Sequence, residues 1–226
     1  MSTAASKGLL RGDAEHVFVT GPAGRIEVVI DHPDVDVPRG IALVAHPHPV
    51  YGGTLDNKVA QTLARTFAEL GYVALRANFR GVGDTEGEHD HGEGETDDLV
   101  AVIDDAITRF GKLPVVLGGY SFGAHVQTQV AKRLADSGNK DEQAVERMVL
   151  VAPAAGFVSG GRQYATLTVP ANTLVIHGET DTTVPLANVL DWLRPQDIPV
   201  TVIPGTDHFF HRKLGLLKSI IKGQWR

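Results

Sequence analysis

Three residues along this chain have the chemistry for covalent catalysis, and each stands at the end of an apolar run. Gly119-Tyr120-Ser121-Phe122-Gly123 follows Val115-Val116-Leu117 and precedes a helix-period run from Ala124 to Leu134 with Val126, Val130 and Leu134 aligned. A serine between a strand and a helix sits on a tight turn that lifts its hydroxyl clear, and the helix N-terminus favours negative charge developing beside it. The flanking glycines have a steric reason, because backbone passes too close for a Cβ. The competing reading is a serine that only caps the helix.

A serine hydroxyl is a poor nucleophile without a base, and the base needs a third group to hold it. Thr173 to Ile176 reads as a strand and runs into His177-Gly178-Glu179-Thr180-Asp181. Two carboxylates there, Asp181 and its rival Glu179, lie where ligand-facing groups collect in open sheets. Val200 to Ile203 leads into Pro204-Gly205-Thr206-Asp207-His208-Phe209. His208 is the candidate base, His211 the fallback, and Asp207 is read as loop chemistry. The chemistry is acyl transfer, for which no cofactor is needed.

Positioning these groups requires a sheet buried on both faces. The chain alternates β-rich runs with helix-period runs, the pattern of a mostly parallel sheet of about seven to eight strands with helices on both faces. Val17 to Val19 and Ile26 to Ile30 read as an antiparallel edge pair, followed by strands at Ile41 to Ala45 and Tyr72 to Leu75. Asn57 to Leu70 places Val59, Leu63, Phe67 and Leu70 on one helical face before Gly71. A loop from Gly81 to about Gly94 precedes a helix with Asp97 and Asp98 in its first turn and Leu99, Val102, Ile103, Ala106 and Phe110 inward. Met148 to Val151 is a further strand, and Leu186 to Leu193 and Leu214 to Ile221 are further helices.

The 226 residues fit one α/β domain, residues 1–226, with residues 1–12 a flexible start. The net charge of -6 argues against nucleic acid and anionic membranes as partners. The absence of cysteine removes disulfides and thiolate metal sites and fits a reducing, cytoplasmic setting. Met1 to Asp13 lacks a secretory apolar core. His46-x-His48 has a metal-ligand spacing, but two prolines stiffen that loop and a backbone role explains it. His89-Asp90-His91 with Glu93 and Glu95 reads as a solvated acidic loop, so no metal is expected. Gly81-Val82-Gly83-Asp84-Thr85-Glu86-Gly87 misplaces the third glycine of a dinucleotide fingerprint.

Six ordered motifs carry a family resemblance: His46-Pro47-His48-Pro49 with Gly52-Gly53 and Asp56-Asn57-Lys58; Asn78-Phe79-Arg80-Gly81-Val82-Gly83; Gly92 with Gly94-Glu95; Gly119 to Gly123; His177-Gly178 with Asp181; and His208-Phe209. Across nearly its whole length the chain resembles the α/β-hydrolase superfamily, in particular small, lidless bacterial members related to dienelactone hydrolases. The resemblance implies Ser121 as nucleophile, Asp181 as acid and His208 as base. It implies an oxyanion hole built from the Phe122 N–H and a donor in the loop after the third strand. Pro47 and Pro49 have no N–H, which leaves His48, with Val50 or Tyr51 behind it.

The connection from Pro153 to Pro170, where larger relatives insert a lid, is short and suggests an open site for small or medium esters. Tyr51, Tyr120, Phe157, Tyr164 and Phe209 are the candidate pocket residues. A thioesterase, lactonase or amidase would use the same parts, and a non-catalytic binding protein on this scaffold is the alternative from another class. A small-molecule ester is the expected partner, and a homodimer stays open.

Overall fold

In the computed structural model, which describes residues 14–137 and 145–225, the apolar runs form an eight-stranded sheet. Its strands are β1 (Ala14–Gly21), β2 (Gly24–Asp31), β3 (Gly40–Ala45), β4 (Tyr72–Ala77), β5 (Val115–Tyr120), β6 (Val145–Val151), β9 (Leu174–Gly178) and β10 (Val200–Ile203). The order is β1-β2-β4-β3-β5-β6-β9-β10. The β1–β2 and β2–β4 pairs are antiparallel, and the other six-strand block is parallel. Two short strands, β7 (Gly156–Val158) and β8 (Arg162–Tyr164), form a separate hairpin. The flexible start expected over residues 1–12 lies outside the described residues.

Period-two alternation divides the strands between two cores, which is why the central runs are apolar without interruption. Ile41, Leu43 and Ala45 of β3 face one core, and Ala42 and Val44 face the other. On the first side lie α2 (Glu93–Phe110), α3 (Phe122–Asp136) and α4 (Leu186–Leu193). On the second lie α1 (Lys58–Glu69) and α5 (Leu214–Gln224). Val59, Leu63 and Phe67 of α1 are buried, and Asn57 caps that helix by accepting from the Val59 and Ala60 N–H groups at 2.9 and 3.4 Å. No helix among the described residues is long and apolar enough to cross a membrane.

Two sequence expectations require correction. Helix α2 starts at Glu93, so Asp97 and Asp98 fall in its second turn, and Glu93 and Glu95 occupy the first. The cause is a reversed cap: Glu95 folds back so that its carboxylate accepts from the Gly92 N–H at 2.8 Å. The segment from His89 to Glu95 is solvated at Asp90, His91 and Glu93, as expected, but not at Glu95. Glu95 is fully buried and accepts from His89 Nδ1 at 2.6 Å and from the Asp90 N–H at 3.0 Å. Asp98, likewise buried, takes two hydrogen bonds of 2.8 Å from Arg80. These ties hold the loop after β4 against the start of α2.

Candidate active site

Strand β5 runs through Tyr120, and α3 begins at Phe122, so Ser121 alone makes the turn between them. Its φ of 56° and ψ of −119° are strained for a residue with a Cβ. Close packing enforces the turn. A Cβ on Gly119 would lie 2.6 Å from the Ala124 Cα, and one on Gly123 would lie 2.3 Å from the His46 carbonyl oxygen. The Ser121 N–H donates to the Val151 carbonyl at 2.9 Å, and its carbonyl accepts from Ala124 and Ala154. The side chain makes no helix-capping hydrogen bond, which removes the capping reading.

Ser121 Oγ instead lies 3.0 Å from His208 Nε2, and His208 Nδ1 lies 2.7 Å from Asp181 Oδ2. A carboxylate can only accept, so Nδ1 carries the imidazole proton and the Nε2 lone pair faces the serine hydroxyl. All three residues are buried, with Ser121 8% exposed at the floor of a cavity of about 330 Å³. The Asp181 carboxylate is held on its other side, where Oδ1 accepts from the Thr183 and Val184 N–H groups at 2.9 and 2.8 Å. The loop bearing His208 is tied down by the Tyr120 hydroxyl, which donates to the His208 carbonyl at 2.9 Å.

The rivals are occupied elsewhere. Glu179 is exposed and accepts from the Gly205 N–H at 2.8 Å, bracing the loop after β10. His211 is exposed and donates from Nδ1 to Asp207 at 2.6 Å. Both nitrogens of His46 serve the backbone: Nε2 accepts from the Phe79 N–H at 2.9 Å, and Nδ1 donates to the Pro47 carbonyl at 2.7 Å. That clamp fixes the loop after β3 in place.

In that loop His48 lines the Ser121 cavity. Val50 and Tyr51 have their N–H groups engaged inside the turn, on His48 Nδ1 and the His48 carbonyl. The Phe122 N–H, first in α3, has no helical acceptor. Of the expected pocket residues, Tyr51, Tyr120 and Phe209 line this cavity. Tyr164 lines a neighbouring cavity of about 550 Å³. Phe157 lines neither and corrects the expectation: it is 67% exposed, because its position on the short β7 turns the ring outward to solvent. Among residues the sequence did not single out, His125, Gln129 and Arg162 reach these cavities.

Residues 50–160 match the family described as serine aminopeptidase, S33. An uncharacterized protein of Rickettsia prowazekii is 30% identical over 207 residues, covering 87% of this chain and 82% of the relative. Among solved structures, a member of the α/β serine hydrolases without a lid from Xanthomonas campestris superposes with a TM-score of 0.81 at 34% identity, covering 96% of both chains. An α/β serine hydrolase homologue from Coxiella burnetii gives 0.79 at 33% identity, covering 94% of this chain and 97% of that one. This chain belongs to the α/β serine hydrolases. The similarities do not single out the dienelactone hydrolases.

Burial also makes the site's scaffold sensitive to acid. Desolvation lowers the pKa of the His46 imidazole from 6.5 to about 4, and the Pro47 carbonyl only partly opposes this. His125 is lowered to about 4 by the same cause. The unfolded chain therefore binds protons near pH 6.5 that the folded chain resists until about pH 4. Stability is complete above the unfolded value and is lost as pH falls through that window. For His46 alone the expected loss between pH 7 and pH 5 is about 2 kcal/mol. Urea unfolding at the two pH values should show a lower midpoint at pH 5, and an unchanged midpoint would contradict neutral burial of these rings.

Proposed function

We propose that this chain hydrolyses carboxylic esters of small or medium acyl groups through an acyl-enzyme on Ser121. His208 Nε2 takes the Ser121 proton as Oγ attacks the ester carbonyl, and Asp181 holds the imidazole in the required tautomer and stabilises its protonated form. The Phe122 and His48 N–H groups hold the oxyanion. The protonated His208 then delivers its proton to the departing alkoxide. Water attacks the acyl-enzyme with His208 again as base, which returns Ser121 free and releases the acid. The observation that carries this reading is the buried Ser121–His208–Asp181 chain of hydrogen bonds, 3.0 and 2.7 Å, at the floor of an open cavity.

The cavity lining favours an ester over an amino-acid amide. A substrate α-ammonium needs a carboxylate partner, and no Asp or Glu lines the Ser121 cavity among the described residues. The test starts with a fluorophosphonate probe, which should label the protein at Ser121, located by peptide mass spectrometry. A chain-length series of p-nitrophenyl esters, with a thioester, a lactone and an amino-acid p-nitroanilide alongside, then reads the bond type. Faster turnover of the thioester, lactone or anilide than of every ester would replace the ester assignment. Absence of both labelling and turnover would favour a binding protein on this scaffold.

A further inference from the structure

The 330 Å³ cavity above Ser121 adjoins the second cavity of about 550 Å³, and His48, Tyr51 and Arg162 line both. Arg162 opens β8, so the hairpin carries its guanidinium to the junction of the two spaces. There it lies 4.3 Å from the centre of the Tyr51 ring. Nε and Nη2 donate to the Ser159 carbonyl at 3.3 and 2.9 Å, and Nη1 donates to the Tyr164 hydroxyl at 3.4 Å. All of these partners are neutral. Among the described residues Arg162 has no carboxylate within ion-pair distance, whereas the buried Arg76 is paired with Asp31 and Arg80 with Asp98.

A guanidinium has five N–H donors, and three of those on Arg162 are engaged. A partly buried cation without a counter-ion is costly, and its planar fork matches carboxylate or phosphate oxygens. Its charge is also the fixed one at the junction. His48 is lowered to about 4, first by burial and then by His89 and Arg162, and His125 is lowered to about 4 by burial, so both are neutral near pH 7. Glu93 lines the second cavity and not the first, which favours an anion at the junction over one at the Glu93 side.

We infer that Arg162 is an anion-recognition residue, and that the preferred substrate is an ester bearing a carboxylate or phosphate on one of its two arms. This rests on the hydrolase reading proposed above. With the scissile carbonyl at Ser121, the anionic arm reaches the junction and takes the free N–H groups of Arg162. The opposite arm leaves through the mouth of the Ser121 cavity.

The full chain tests this with matched esters, each rate divided by its own hydroxide-catalysed rate. One pair places the charge on the acyl arm: the p-nitrophenyl monoester of adipic acid against its methyl-capped diester. A second pair places it on the alcohol arm: 3-carboxyphenyl butyrate against 3-carbamoylphenyl butyrate. A 3-phosphonooxyphenyl butyrate separates phosphate from carboxylate. In at least one comparison kcat/KM should favour the anionic ester by about tenfold or more, as a charge-assisted hydrogen bond gives.

Arg162→Gln should bring that ratio to about one, and Arg162→Lys should keep part of it, because a point charge remains where the fork is lost. The ratio compares two esters on one protein, so a general folding defect does not move it. A wild-type ratio at or below one for every pair overturns the inference whether or not the variants fold, as does an Arg162→Gln protein that keeps the wild-type ratio. Labelling of Ser121 by fluorophosphonate with no charge preference sinks this inference and leaves the hydrolase reading standing. No labelling and no turnover sinks the hydrolase reading, and the inference falls with it.

Discussion

Alanine in place of Ser121 is expected to lower kcat by about 10⁴-fold or more while leaving the fold intact. The size of the effect follows from what the oxygen does in the proposed reaction. It forms the bond to the acyl group, and nothing else at the turn can replace it. The stability half of the prediction follows from what the oxygen does not do. Among the described residues its side-chain hydrogen bond is to His208 at 3.0 Å, it caps no helix, and the strained φ of 56° is set by the backbone contacts of Gly119 and Gly123. Alanine keeps the Cβ and that backbone, so the thermal midpoint should move little. Residual activity over water is expected from the Phe122 and His48 N–H groups proposed as oxyanion donors, which the substitution leaves in place. The check is kcat on the best p-nitrophenyl ester beside circular dichroism of the same preparation. A purified variant keeping more than a tenth of the wild-type rate would remove Ser121 from the role of nucleophile.

The parts of this arrangement that were legible in the sequence are those written in local pattern. Uninterrupted apolar runs mark β3, β5 and β9 because a strand covered on both faces has no polar side to show. The turn at Ser121 is legible because its glycines answer to close backbone contacts, and Asp181 and His208 because each follows a strand end. What stayed hidden lies in contacts across the fold. The start of α2 carries no serine, threonine or asparagine cap; a glycine and a glutamate that folds back take their place, so the helix reads as starting late. The acidic appearance of residues 89–95 gives no hint that Glu95 is enclosed by the N–H groups of its own loop. The β7–β8 hairpin has strands of three residues and positive φ at Gly160 and Gly161, too short for any periodicity, so Arg162 had no sequence signal at all.

Asp181→Asn and Glu179→Gln, assayed side by side, separate the two carboxylates that the sequence offered as the acid. Asparagine at 181 is nearly isosteric, but its two ends differ, and the backbone fixes which end faces which way. The Thr183 and Val184 N–H groups donate to Oδ1 at 2.9 and 2.8 Å and demand an oxygen there. The amide nitrogen is then turned toward His208, where it can only donate. His208 Nδ1 must become the acceptor, its proton moves to Nε2, and an N–H faces Ser121 in place of a lone pair. The imidazole is held in position and can no longer take the serine proton, so kcat should fall by up to about 10⁴-fold with circular dichroism unchanged. Glutamine at 179 meets a different situation. That carboxylate is exposed and accepts one bond, from the Gly205 N–H at 2.8 Å, which an amide oxygen can also accept. Its loss should cost less than about tenfold, through slight loosening of the loop that carries His208. If Glu179→Gln proves the more damaging, the acid role passes to Glu179, while the pairing of Ser121 with His208 stands unaffected.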